Sequence, residues 1–298
     1  MTPAFRPLEP GEPIGVVALS GPVARNALAD GLEVIRSWGH PVILAPNLAE
    51  QAGYLAGDDS QRLRALEAVL DHGARVLIAA RGGYGVTRLL PELDLGDFAR
   101  RDVMVVGYSD LTALMNGLIA AGGGPQIHGP MVASGLSRSR NSESLRLLLS
   151  GELAGKTIFR FGPEHVVRGG RVRGRSVGGN LAMLEAGLGT PYEAPFAGSL
   201  LFVEEVGEPL YRVDRMLTHL RGSARLRGVK ALICGSLRGC RPAKDVASRW
   251  RELVVEAVGE EIPVVLGLPF GHGALNLSFP IGVQLELDTD AGTIRWRQ

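Results

Sequence analysis

Cysteine is scarce in this chain of 298 residues, which contains only Cys234 and Cys240. The two flank a Gly-Ser-Leu-Arg-Gly segment, and neither a second cysteine pair nor a histidine stands near them. This arrangement is a poor zinc signal. We therefore expect a reduced protein without a bound metal, with one buried thiol in a strand and the other near the end of that strand.

A large excess of charge of one sign is also absent, and so are long apolar runs. Lys and Arg number 32 against 31 Asp and Glu, so the net charge is +1 and gives no support for a nucleic-acid partner. No apolar run reaches transmembrane length, and the first residues lack the apolar core of a signal peptide. We expect a cytoplasmic protein without a membrane partner. The motif G-x-G-x-x-G is absent after the first apolar strand, which argues against a dinucleotide cofactor.

The first half alternates apolar segments with helical patterns. Strands are predicted at residues 14–19, 42–45, 76–80, 103–106 and 126–128, and helices at residues 24–38 and after Asp58. Such alternation is typical of βαβ units. It predicts an α/β domain with a doubly wound parallel sheet over residues 1–135.

The pattern changes after residue 135. We expect a linker over residues 136–165, with a short helix at 144–149, and a C-terminal domain over residues 166–298. In that domain, short strands are separated by Gly, Pro and Arg, and two amphipathic helices interrupt them. This pattern predicts a strand-rich α+β fold.

One strand of the first half turns into a helix over very few residues. Apolar residues 103–106 are followed by G-Y-S-D and then by apolar residues at helical spacing. So sharp a turn places Ser109 above the carboxyl end of the sheet, where ligands of open α/β sheets bind. The helix N-terminus there suits a developing oxyanion, so Ser109 is a candidate nucleophile. The alternative is that Ser109 or Asp110 only caps the helix.

A serine nucleophile needs a base, and the base needs an orienting carboxylate. Among the six histidines, His272 follows a predicted strand in G-L-P-F-G-H-G, where the glycines allow close approach. His128 also ends a strand, but it lies in the same sheet as Ser109 and could bond the backbone there. We prefer His272 as the base because of its position in a loop.

The second half offers carboxylates at the end of an apolar strand, in S-L-L-F-V-E-E-V-G-E. Glu204 is the first acid after the strand, and a carboxylate at the end of a buried strand requires a partner. If Glu204 serves catalysis, that partner is His272, which it orients. If Glu204 is only structural, the partner is an arginine in a salt bridge. Glu205 points the other way, and we expect it to be solvated. Asn180, in G-G-N, begins a helix as a plain cap or as a rim of the site.

The segment R-G-G-Y-G at residues 81–85 follows the third strand, beside the sharp turn at residues 107–110 that carries Ser109, here called the elbow. An N–H group of Gly82 or Gly83 could supply an oxyanion donor next to the N–H of Asp110. Arg81 or Tyr84 could bind a substrate carboxylate, because arginine makes paired hydrogen bonds to carboxylates.

Six motifs then coincide along the chain. They are R-G-G-Y-G at 81–85, G-Y-S-D-L-T at 107–112, H-G-P at 128–130, G-G-N-L at 178–181, F-V-E-E-V-G-E-P-L-Y-R-V-D-R-M-L at 202–217 and G-H-G at 271–273. Together, and in this order, they resemble the LD-carboxypeptidase family of serine peptidases, which includes murein tetrapeptide carboxypeptidases and, as a sister branch, microcin-immunity peptidases. Each motif alone is weak, but the set is specific.

The resemblance implies a catalytic triad of Ser109, Glu204 and His272. It also implies an active site in the cleft between two domains, often a homodimer, and no metal or organic cofactor. The implied substrate is a small cell-wall peptide whose terminal D-alanine is removed during cytoplasmic murein recycling. The sister branch cleaves peptidyl or acyl nucleotide antibiotics with extra nucleotide-binding segments. The connection between Glu204 and His272 shows no obvious insertion of that kind, which favours the cell-wall branch.

Two other classes stay open. One is a non-catalytic two-domain ligand-binding protein in which Ser109 is a helix cap. The other is a relative of the cysteine-type amidotransferases, which is disfavoured because the elbow carries serine and both cysteines lie in a later strand region.

Overall fold

The computed structural model describes residues 4–241 and 246–297, and all statements on structure refer to these residues. The strands there, in chain order, are β1 (Ile14–Val17), β2 (Val42–Leu44), β3 (Val76–Ala79), β4 (Met104–Gly107), β5 (Gln126–His128), β6 (Thr157–Arg160), β7 (Val166–Arg168), β8 (Arg171–Asn180), β9 (Ser199–Val206), β10 (Ala231–Arg238), β11 (Val264–Val265), β12 (Phe279–Ile281), β13 (Gln284–Asp288) and β14 (Thr293–Trp296). The α-helices are α1 (Arg25–Ser37), α2 (Asp59–Asp71), α3 (Val86–Leu89), α4 (Leu95–Arg100), α5 (Leu111–Ala120), α6 (Ser139–Leu149), α7 (Leu181–Ala186), α8 (Leu210–Gly222) and α9 (Val246–Val258).

The first sheet has the strand order β12-β5-β4-β3-β1-β2. Strands β1 to β5 are mutually parallel. Strands β1, β3 and β4 are buried throughout, as their apolar sequences predict, and β5 is buried as well although it contains Gln126 and His128. Helices α1, α2 and α5 connect successive strands, which confirms the doubly wound α/β prediction. The antiparallel edge strand β12 comes from far along the chain and was not predicted.

The second sheet has the order β6-β14-β13-β8-β9-β10-β11-β7. Its four consecutive strands β8, β9, β10 and β11 are parallel, and the strands outside them pair antiparallel. Helices α8 and α9 bury their apolar faces in the same hydrophobic cluster. The strand-rich α+β prediction for the second half is therefore confirmed.

Two hydrophobic clusters lie on opposite faces of the second sheet. Strand β9 divides its side chains between them: Leu200 and Phe202 belong to the cluster that also holds the core of the first sheet, and Leu201 and Val203 to the cluster under α8 and α9. This alternation is the period of two expected for a strand. It directs the next two residues of β9, Glu204 and Glu205, to different sides of the sheet.

The segment predicted as a linker, residues 136–165, contains regular structure. Helix α6 begins at Ser139, earlier than the predicted residue 144, and β6 pairs with β14 at the edge of the second sheet. The domain limits at 1–135 and 166–298 stay a prediction, and β12 shows that the second half contributes to the first sheet.

Within the described ranges, no helix is long and apolar enough to cross a membrane. No cluster of three or more His, Cys, Asp and Glu side chains there could hold a metal ion. Cys234 lies buried in β10, Cys240 lies buried just after that strand, and both are free thiols, as predicted.

Candidate active site

The turn between β4 and α5 holds Ser109 in a strained backbone conformation. Its φ angle is +61°, a region that residues other than glycine rarely adopt. Backbone strain of this kind clusters at functional sites. The side chain of Asp110, at the N-cap of α5, does not cap the helix, and Ser109 Oγ makes no hydrogen bond among the described residues. The helix-cap alternative for these two side chains is therefore wrong.

The carboxylate of Asp110 instead bonds two other segments and so fixes the elbow in place. It is buried and accepts hydrogen bonds from Ser20 Oγ at 2.6 Å and from the N–H of Val86 at 2.9 Å. Burial raises the pKa of the Asp110 carboxyl, and the Ser20 hydroxyl partly opposes that effect. These bonds join the elbow to the loop after β1 and to the start of α3, so two other segments hold the strained turn.

The backbone of Gly82 lies against the candidate nucleophile. A Cβ atom built at Gly82 would stand 3.0 Å from Ser109 Cβ and 3.2 Å from Ser109 Oγ. In the described part of the chain, the N–H groups of Gly82, Gly83 and Asp110 donate no hydrogen bond. Free N–H groups beside a nucleophile are what an oxyanion hole requires. The oxyanion role of these three residues stays a prediction.

Glu204 in β9 and His272 in the loop between β11 and β12 form a tight pair. Nδ1 of His272 lies 2.6 Å from Oε2 of Glu204, and the backbone N–H of His272 donates to the same oxygen at 3.2 Å. The Glu204 side chain is fully buried, whereas 16% of the His272 side chain is exposed. A carboxylate at Nδ1 holds the proton there, so Nε2 is left as the ring nitrogen that can accept a proton.

The loop that carries His272 is shaped for this contact. Gly271 has a φ angle of +94°, and a Cβ there would stand 2.5 Å from Glu204 Oε2. Its N–H donates to Asn276 Oδ1 at 2.9 Å, and the N–H of Asn276 donates in turn to Asn141 Oδ1 at 2.9 Å. Glycine permits the approach of the carboxylate, and the two buried asparagines anchor the loop to α6.

Ser109 and His272 line one cavity of about 330 Å³. Its other lining residues are Ala24, Arg81, Gly82, Gly83, Tyr108, Met131, Ala133 and Ser134. The two side chains are not hydrogen-bonded to each other in this structure. Catalytic hydrogen bonds often tighten only when substrate binds, so the arrangement is compatible with proton transfer between them.

The predicted substrate-binding residues differ in position. Arg81 lines the cavity, donates to the carbonyl oxygens of Gly82 and Pro22, and has no acidic partner among the described residues. Tyr84 does not line the cavity; it is 44% exposed and its ring packs on that of Tyr54. Only Arg81 of this pair is placed to meet a substrate in the cavity.

Asn180 and Glu205 form a separate buried unit. Asn180 Oδ1 accepts from the first turn of α7, and its Nδ2 donates to Glu205 Oε1 at 3.0 Å. Glu205 also accepts from the N–H of Ala182 at 2.8 Å, and burial raises its pKa. The prediction that Glu205 is solvated is wrong, because its face of β9 is covered by α7. Asn180 acts as a helix cap and does not line the cavity.

The other histidine considered as a base, His128, is fully buried and stacked on Phe279 with ring centroids 4.7 Å apart. Burial, and secondly the nearby His272, lowers its pKa to about 3. It has no carboxylate partner among the described residues and does not line the cavity. His128 is therefore a neutral core residue in this structure.

Comparison with protein-family models adds an independent observation. Residues 14–129 match the LD-carboxypeptidase N-terminal domain, and residues 173–287 match the LD-carboxypeptidase C-terminal domain. The chain belongs to the LD-carboxypeptidase family. It is therefore a carboxypeptidase-type hydrolase by family, as the six motifs indicate.

Relatives of this LD-carboxypeptidase-family chain are also named carboxypeptidases. A putative carboxypeptidase of Streptomyces coelicolor is 40% identical over 96% of this chain and 94% of its own. The murein tetrapeptide carboxypeptidase of Pseudomonas aeruginosa is 35% identical over 95% of this chain and 94% of its own. A solved structure of MccF in complex with glutamyl sulfamoyl guanosine has a TM-score of 0.87 and 24% identity, covering 98% of this chain and 97% of that one. At that identity, the likeness shows a shared fold.

Sequence reasoning missed Tyr108 and Ser134. The Tyr108 ring meets the His272 ring edge-on with centroids 4.8 Å apart, and its hydroxyl lies 2.7 Å from Ser134 Oγ. Both residues line the cavity. Tyr108 stands next to Ser109 in the elbow, so its place in the motif was the available signal. Ser134 carries no comparable signal in the sequence.

Proposed function

We propose that this protein is a serine carboxypeptidase that hydrolyses the L,D-peptide bond to the terminal D-alanine of murein tetrapeptides. The observation that carries the proposal is the Glu204–His272 pair, which faces a strained serine across one cavity. A buried carboxylate, an imidazole and a hydroxyl in this arrangement have the roles of a catalytic triad.

In the first step, Nε2 of His272 takes the proton of Ser109 Oγ as the oxygen attacks the carbonyl carbon of the penultimate residue. Glu204 stabilises the resulting imidazolium through Nδ1. The negative charge that develops on the carbonyl oxygen is received by the N–H of Asp110 and by an N–H of Gly82 or Gly83, because these donors are otherwise unused.

In the second step, the C–N bond breaks and the imidazolium gives its proton to the nitrogen of the leaving D-alanine. Water then attacks the acyl-enzyme, with His272 as the base, and releases the shortened peptide and free Ser109. All these proton transfers use side chains of this chain.

A carboxypeptidase must also bind a free carboxylate. Arg81 is the proposed group, since it lines the cavity and no acidic side chain of the described chain neutralises it. The murein peptide class is supported by the Pseudomonas aeruginosa relative's name. A place in cytoplasmic cell-wall recycling and a homodimeric assembly complete the proposal and depend on the family resemblance.

The test is D-alanine release from L-Ala-γ-D-Glu-meso-diaminopimelate-D-Ala, with the same peptide ending in L-alanine as the substrate control and Ser109→Ala as the variant. We expect release from the first peptide by the wild type alone. Release by Ser109→Ala as well would refute the nucleophile. No release by either protein would refute the cell-wall substrate, and peptidyl nucleotides of the microcin type would then be assayed.

A further inference from the structure

Two buried polar atoms beside the catalytic pair have no hydrogen-bond partner among the described residues. They are Oε1 of Glu204, the oxygen that does not face His272, and Oγ of Ser236. A carboxylate oxygen removed from water without a partner is costly, and a buried hydroxyl without an acceptor adds to that cost. Such atoms in a native structure require an explanation, and here each can supply what the other lacks.

A β-bulge brings these two atoms to the same side of the sheet. Strands β9 and β10 pair Val203 with Cys234 and Glu205 with Leu237, so that two residues of β10, Gly235 and Ser236, stand opposite the single residue Glu204. Without the extra residue, simple alternation would turn Ser236 away from the site. Bulges are common next to active sites because they redirect a side chain in this way.

Contacts with the His272 loop confirm the direction of the bulge. A Cβ at Gly235 would stand 2.6 Å from the carbonyl oxygen of Phe270, and the N–H of Ser236 donates to that oxygen at 3.1 Å. A Cβ at Gly273 would stand 3.8 Å from Ser236 Oγ. Both bulge residues therefore face the loop that holds His272, and Ser236 lies on the Glu204 side of β10.

We propose that Ser236 is a positioning residue whose hydroxyl reaches Oε1 of Glu204 through one buried water, which accepts from the hydroxyl and donates to the carboxylate oxygen. This water bridge fixes the second carboxylate oxygen and spreads the negative charge away from the His272 side. The inference depends on the proposed function, because it assigns a task within that triad.

Removal of the hydroxyl has a defined consequence. In Ser236→Ala, the charge of Glu204 concentrates on the oxygen that faces His272 and stabilises the imidazolium more strongly. The other titratable groups around this pair are Tyr108 and Glu205, which interact electrostatically with Glu204, and His128, which lies near His272. Because none of them changes, the shift is attributable to Ser236.

The experiment follows the pH dependence of kcat/KM for Ser236→Ala, with Ser236→Thr to restore the hydroxyl. The matched control is Ser278→Ala, which also removes a buried hydroxyl without a partner among the described residues. We expect the acid limb to move to higher pH by about one unit in Ser236→Ala, since a hydrogen bond to a charged group has about this effect. Ser236→Thr restores the wild-type limb, and KM is unchanged in all three variants.

NMR titration of the His272 ring gives a second readout that needs no substrate, so it distinguishes failure of this inference from failure of the proposed function. The imidazole pKa rises in Ser236→Ala and stays at the wild-type value in Ser278→Ala. Identical titrations of the wild type and Ser236→Ala, or an equal shift in Ser278→Ala, would overturn the proposal.

Discussion

Two adjacent glutamates on β9 allow a sharp test of the catalytic pair. Glu204 and Glu205 are both buried, but Glu204 bonds His272 whereas Glu205 bonds Asn180 and the backbone of Ala182. The same chemical change, glutamate to glutamine, therefore removes a charge at neighbouring positions on opposite faces of one strand. Only one of the two changes touches the base.

In Glu204→Gln, the side-chain amide can present an N–H to Nδ1 and so favour the wrong tautomer of His272. The equivalent acid-to-amide change in a Ser-His-Asp triad lowers kcat about 10⁴-fold, and we expect a loss of about 10³- to 10⁴-fold here. That corresponds to about 4–5.5 kcal/mol of transition-state stabilisation. The free energy of unfolding changes little, because glutamine fills the same space.

In Glu205→Gln, one of the two oxygens that accept N–H donors becomes a donor itself. We expect the free energy of unfolding to fall by about 1–3 kcal/mol and kcat/KM to stay within about threefold of the wild type. Both variants are compared by D-alanine release and by urea unfolding. Our reasoning fails if Glu205→Gln is as inactive as Glu204→Gln, or if Glu204→Gln keeps a tenth of the wild-type activity.

Three further predictions concern other parts of the molecule. Gly82→Ala places a methyl group 3.0 Å from Ser109 Cβ and lowers kcat by about 10- to 100-fold, whereas Gly222→Ala, with open space around it, leaves the rate unchanged in the same assay. Asn276→Ala leaves the N–H of Gly271 without its acceptor, so kcat falls about tenfold with little change in KM, as steady-state kinetics would reveal. Arg297 and Arg173 lower the pKa of Glu286 to about 2, so the stability that these contacts give is present above pH 4.5 and is lost as the pH falls towards 2. Urea unfolding at several pH values should show about 2 kcal/mol less acid-induced destabilisation in Glu286→Gln than in the wild type.

The parts of the fold that follow from local patterns were predictable. Strands β1, β3 and β4 are continuous apolar runs, and α2 begins directly after Asp58, as predicted; the Asp58 side chain accepts from the N–H of Gln61. Strand β12 could not be predicted, because Pro280 interrupts its short apolar run and its partner β5 is far away in the sequence. The bulge in β10 is likewise a property of pairing, which a single strand does not encode.

In the site too, the features set by local sequence could be predicted, and those set by tertiary contacts could not. Ser109 could be found because strand, turn and helix are contiguous, and Glu204 because an acid at the end of a buried strand needs a partner. The burial of Glu205 was missed, since it depends on α7 covering the other face of β9. Asn276 and Asn141 could not be paired from the sequence either, because only the folded loop brings them together.

Strand β12 has a consequence for how the protein is made. It closes the edge of the first sheet beside β5, yet it follows the His272 loop and lies far from β5 in the sequence. During synthesis, the first sheet must therefore wait for residue 281 with the edge of β5 unpaired, and an open edge invites pairing between chains. Ser109 cannot meet its proposed base before residue 272 has been synthesised, so a shorter nascent chain lacks the proposed triad.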